Sequence, residues 1–169
     1  MEVFHSASEH FGQLHPIDPE QLPEPARTLL DHTRHMTVAM ERFHGGPVGL
    51  RVVQRTTGHD GHYCREILLH VADGRVVQHG IVRIDLGQLP PDVADAIRTE
   101  STPLGRLLIN AGLHCDVHDV RVLRVVTGPW LARLFEVTPG RETFGRVALI
   151  GLAGRPVIEL LEIIAPEPA

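Results

Sequence analysis

Six runs rich in valine, isoleucine and leucine make up about half of the chain beyond residue 48, and they constrain its fold more than any other feature. They are GLRVVQRTT, HYCREILLHVA, RVVQHGIVRI, HCDVHDVRVLRVV, RVALIGL and PVIELLEIIA. Branched aliphatics at this density favour strands, and the glycine-bearing turns between several runs mark hairpins. Ala72-Asp73-Gly74 joins the second run to the third, and Ala153-Gly154 joins the last two. Strands joined by tight turns pair antiparallel. About six such strands, with helical segments outside them, place the chain in the α+β class.

The helical segments are short. ARTLLDHTRHMTVAMERFHG carries Leu29, Leu30, Met36, Met40 and Phe43 at mixed helical spacings and ends at Gly45-Gly46, which fits one broken helix or two short ones. Pro90-Pro91 opens DVADAIRTE and Thr102-Pro103 opens LGRLLINAG, since proline is tolerated in a first helical turn. PWLARLF, 129–135, reads as one further short helix. Pro16, Pro19, Pro23 and Pro25 among polar residues predict an irregular arm over residues 1–25, with a single domain over 26–169. A chain of 169 residues can bury one continuous core without a second domain.

Bulk properties exclude several classes of function. A net charge of -5 lacks the basic field that holds phosphate backbones, so no nucleic-acid partner is expected. No stretch has the roughly 18 apolar residues of a membrane span, and no secretory leader is evident, so a cytoplasmic location is expected. Cys64 and Cys115 are too few for a disulfide framework. No glycine-rich phosphate loop or nucleophile elbow occurs, and none of the three serines sits between glycines. Twelve histidines invite a metal reading, but His114 and His118 of HCDVH would stand about 13 Å apart along a strand, too far for one ion. No metal is expected.

Charges stand where a core strand should have none. In HYCREILLHVA, alternation puts Arg65 on a face with Ile67, Leu69 and Val71, and Glu66 with Cys64 and Leu68. Burying either alone costs several kcal/mol, so each needs a partner, water or a ligand. In the last run Glu162 shares a face with Ile158, Leu160 and Ile164, and Glu159 with Val157, Leu161 and Ile163. A carboxylate among aliphatics tends to have a raised pKa, which suits proton exchange or bonding to a ligand hydroxyl. Parity alone does not decide which glutamate faces a pocket.

Five motifs in order give the chain a likeness. LLDHTRHMTVAMERFHG with Met36, Thr37 and Glu41, YCREILLHVADG with Arg65, TPLGRLL at 102–108, FGR at 144–146, and Glu162 four residues before Pro166 together resemble the chorismate pyruvate-lyase (4-hydroxybenzoate synthase) family over about residues 29–166. The resemblance implies a single antiparallel sheet with helices on one side around a buried ligand. It also implies conversion of chorismate to 4-hydroxybenzoate and pyruvate by a monomer that uses no cofactor. Arg65 would hold the ring carboxylate, for which a planar bidentate donor is well shaped. Glu162 would face the ring hydroxyl and move protons, so Arg65 and Glu162 are the implied catalytic pair. Met36 and Thr37 in the covering flap, Leu104 and Gly105 after Pro103, and Arg146 of FGR complete the implied substrate-binding set.

Two positions depart from the family. Val147 stands where a second arginine is typical, and Ile81 where another can occur. Those losses leave room for an altered substrate or hydroxybenzoate isomer. The last run also has one more residue between Pro156 and Glu162 than the family, which a bulge would absorb; without a bulge Glu159 would face the site. The effector-binding domains of some bacterial transcription regulators share the fold, so a non-enzymatic binder of a small aromatic acid is the alternative. The short, proline-rich N-terminal arm does not read as a DNA-binding helix-turn-helix.

Overall fold

A computed structural model describes residues 11–167. Expectations for residues 1–10 lie outside that range. Among the described residues, seven strands form one sheet in the order β1-β5-β6-β7-β4-β3-β2, every neighbouring pair antiparallel. They are β1 (Gly12–Pro16), β2 (Gly49–Thr57), β3 (Tyr63–His70), β4 (Val76–Ile84), β5 (Cys115–Thr127), β6 (Glu142–Leu152) and β7 (Arg155–Ile164). The helices are α1 (Ala26–Leu30), α2 (Met36–His44), α3 (Pro91–Arg98), α4 (Leu104–Asn110) and α5 (Pro129–Phe135).

Six strands and all five helices fall on the expected runs. The seventh strand, β1, corrects the reading of an irregular arm. It pairs with β5 from Gly12↔Thr127 to Pro16↔Leu123 at the sheet edge. Pro16 is tolerated there because an edge strand need not donate on both sides. Gly12 lets the chains come close: a Cβ on it would collide with the carbonyl oxygen of Val126.

The helical stretch after residue 25 resolves into two helices. Residues 31–35 separate α1 from α2, and α2 stops where Gly45 turns left-handed at φ 71°. Arg42 and His44 in its last turn suit the negative end of the helix dipole. α1 to α4 cover one face of the sheet. Leu30 and Met40 pack there against Ile67 and Leu69, while Ile97 and Leu108 pack against Val82, Ile84, Ile158 and Leu160. Leu30, Met40, Ile97 and Leu108 are fully buried, and each such side chain contributes roughly 1.5–3 kcal/mol by leaving water. The short α5 packs with Phe11 on the opposite face, over Ile81, Leu123, Val125, Leu161 and Ile163.

Glu66 belongs to that opposite face. Its fully buried carboxylate accepts from His79 Nε2 at 2.7 Å, Trp130 Nε1 at 2.9 Å and Gln54 Nε2 at 2.5 Å. Burial alone would raise its pKa, but these donors, His79 first, hold it at about 2. Of the two charges on β3, Glu66 is thus satisfied inside the fold.

Candidate functional site

β3, β4, β6 and β7 meet the 31–37 segment and the start of α4 around an internal cavity of about 40 Å³. All seven residues implied by the resemblance line it: Met36, Thr37, Arg65, Leu104, Gly105, Arg146 and Glu162. Strand register brings them together. Arg65 pairs with Val82 across β3 and β4, Gly80 with Glu162 across β4 and β7, and Glu162 with Arg146 across β7 and β6. Residues directly opposite in an antiparallel sheet project to the same side, so both cations and the carboxylate point toward the helices. Gly105 lets the flap and α4 touch, since a Cβ on it would lie 2.9 Å from His35 Cβ and 3.0 Å from Thr37 Oγ1. Arg106 and Glu41, from two of the motifs, pair across α4 and α2.

Arg65 is 1% exposed and its Nη1 donates to the carbonyl of Ile97, at the C-terminal end of α3, at 3.2 Å. Its Nε has no partner, and among the described residues no carboxylate forms an ion pair with it. Burial pushes its pKa below the usual arginine value, opposed by Tyr63 and then Glu100 nearby. Glu100 is held elsewhere, by Tyr63 Oη at 2.6 Å and Arg55 Nη1 at 2.5 Å. A buried guanidinium without a counter-ion is costly, and an anionic ligand is the usual remedy.

Glu162 differs from the isolated carboxylate expected among aliphatics. Its Oε2 accepts from Arg146 Nε at 2.7 Å. Arg146, 1% exposed, also donates from Nη1 to the His32 carbonyl at 2.8 Å and from Nη2 to the Arg34 carbonyl at 3.1 Å. All three of its nitrogens are therefore engaged within the protein, and it holds the 31–35 segment over the cavity. Burial lowers the His35 pKa, while Glu162 beside it acts the other way.

The register at the last strand is settled by a bulge. Ile150 pairs with Ile158 but Gly151 with Pro156, leaving Val157 as the extra residue. Glu162 consequently faces the helices, and Glu159 emerges on the other side, where Arg83 Nη1 donates to it at 2.7 Å. Among the described residues no group of three or more His, Cys, Asp or Glu is placed to hold a metal ion. No helix among them is long and apolar enough to cross a membrane.

Among the lining residues that sequence reasoning overlooked are Gln78 and Gly80. The signal was there: in VVQHGIVRI, Gln78 shares its parity with Val82 and Ile84, a face of mostly aliphatic residues.

No family model matches this sequence, and neither does any curated protein. Solved structures do. A regulator from Escherichia coli CFT073 is 9% identical with a TM-score of 0.55, covering 71% of this chain and 97% of its own. The ligand-binding domain of a GntR-family transcriptional regulator from Bordetella bronchiseptica is 14% identical with a TM-score of 0.52, covering 72% and 91%. A transcriptional regulator from Streptomyces coelicolor is 16% identical with a TM-score of 0.54, covering 71% and 87%. At these identities the likeness shows the fold alone, an α+β domain with one antiparallel sheet and most of its helices on one side. Fold does not carry function by itself; the chemistry of the cavity does.

Proposed function

We propose that this chain is a small-molecule-binding domain whose cavity takes a small carboxylic acid, with the carboxylate on Arg65. The observation that carries this reading is a cation 1% exposed, facing the cavity, with no carboxylate partner among the described residues. A guanidinium presents paired N–H donors that match a carboxylate, and a charge-assisted bond in a dry cavity is strong. The fold shared with the ligand-binding domain of the Bordetella regulator supports binding as the task.

The cavity of about 40 Å³ is smaller than the roughly 150 Å³ that admits a benzene ring, so a ring-sized acid enters only if the 31–35 segment yields. Arg146 is the clasp that must let go. Calorimetric titration with benzoate and 4-hydroxybenzoate tests the reading: wild type binds, and Arg65→Met does not. Equal affinity in both proteins refutes it.

A second reading is elimination on chorismate, favoured by Glu162 lining the same cavity as Arg65 with one oxygen committed to Arg146. In that reaction the ether C–O bond to the ring breaks, the ring loses a proton as it aromatises, and the released enolpyruvate gains one to become pyruvate. Arg65 would orient the substrate and the second oxygen of Glu162 would take the ring proton. Folded protein that releases no pyruvate from chorismate above the spontaneous rate rules this out and leaves binding in place.

A further inference from the structure

On the helix-covered face β4 carries one amide among aliphatic side chains. Gln78 is 2% exposed, stands in register with Leu69 on one side and Ile164 on the other, and lines the cavity of Arg65 and Glu162. Its Oε1 has no hydrogen-bond partner, and no described residue bonds to its Nε2. A leucine would fill that space without leaving an amide dry, so internal packing does not account for a glutamine there. Two residues on, Gly80 has no side chain, and its neighbours lean into the space a Cβ would take: one built there would lie 3.1 Å from Ile67 Cδ1 and 3.7 Å from Gln78 Nε2. Ile67 pairs with Gly80 and Arg65 with Val82, so the Ile67–Gly80 pair lies between the amide and the guanidinium along the strands.

We propose that Gln78 determines which acid the cavity accepts. With the carboxylate on Arg65, an apolar body lies along Ile67, and a hydroxyl or similar hydrogen-bonding substituent at the far end meets the Gln78 amide. The ligand class is then a carboxylic acid with a hydroxyl or similar polar group at the end remote from the carboxylate, and not its unsubstituted parent. An amide both accepts and donates, so it can satisfy a hydroxyl in either sense. This assignment rests on the carboxylate-binding reading and adds a second recognition point to it.

The test uses the full chain as wild type, Gln78→Leu and Arg65→Met, titrated with benzoate, 3-hydroxybenzoate and 4-hydroxybenzoate, and melted without ligand. Wild type should bind at least one hydroxybenzoate about tenfold more tightly than benzoate, because a site built around a polar group penalises the analogue that leaves it unpaired. In Gln78→Leu that ratio should fall below about twofold. Ligand-free Gln78→Leu should melt at or above the wild-type temperature, since no internal hydrogen bond is lost. A ratio retained in Gln78→Leu, no preference in wild type, or a melting point lowered by more than about 4 °C overturns the assignment. A preference that disappears in Gln78→Leu but survives in Arg65→Met overturns the carboxylate reading and spares Gln78. Wild type that binds none of the three acids overturns both.

Discussion

Arg146 and Glu162 stand directly opposite each other on β6 and β7, joined from Nε to Oε2 at 2.7 Å. The same guanidinium grips the carbonyls of His32 and Arg34. One side chain thus ties the cavity wall to the segment that roofs it, so ligand access and fold stability share a residue.

Arg146→Met should destabilise the fold by about 3–5 kcal/mol, because it strands a buried carboxylate and frees two carbonyls. The double variant Arg146→Met/Glu162→Gln should recover part of that loss, since the orphaned charge is gone. Urea denaturation of both singles and the double measures the coupling. Strictly additive losses would show that the pair does not act as a unit.

Arg65→Met should behave in the opposite way. Removing a buried cation that lacks a counter-ion leaves ligand-free stability unchanged or raises it by up to about 2 kcal/mol, whereas acid binding is lost. Calorimetric melting checks this, and a marked fall in melting temperature would give Arg65 a structural role instead.

His32 makes stability depend on pH. Its Nδ1 accepts from Arg146 Nη1 at 3.1 Å and from the Arg34 backbone N–H at 3.2 Å, which needs an unprotonated nitrogen. Burial, then the Arg146 and Arg34 charges, lowers its pKa from 6.5 to about 4. The folded pKa lies below the unfolded one, so the unfolded chain takes up the proton first as pH falls. This contribution is complete above about pH 6.5 and is lost progressively down to about pH 4. His32→Asn, which keeps an acceptor near Nδ1 but does not titrate, should flatten the decline in melting temperature across that window. Parallel curves for the two proteins would contradict the assignment.

Gly105→Val should force α4 away from the flap, because a Cβ there already meets His35 Cβ at 2.9 Å. Overpacking of this kind costs roughly 1–3 kcal/mol. Faster amide hydrogen exchange in residues 31–37 would report the displaced flap, and unchanged exchange would show that the contact is soft.

Much of this was legible along the chain because it is local. Alternation and turn chemistry set the strands and the β3–β4 hairpin, and the prolines and Gly45 marked the helix ends. Arg65 stood out because a guanidinium among Ile67 and Leu69 violates the pattern around it. β1 was hidden, since five residues ending in proline have little strand character of their own and become a strand by pairing with β5. Gln78 left a weaker mark, an uncharged amide sharing parity with Val82 and Ile84, and only the structure shows that this face is buried and lines the cavity.

The amino-acid sequence by itself determined the element types, the α+β class and the residues that could not rest unpartnered in a core. Only the tertiary structure decided that Glu66 is satisfied under α5 while Arg65 is not, and that Glu162, not Glu159, faces the cavity. The reason is register: one bulged residue at Val157 sets which side of β7 each carboxylate takes. That pairing is made between strands far apart in the chain, where local preference has no say.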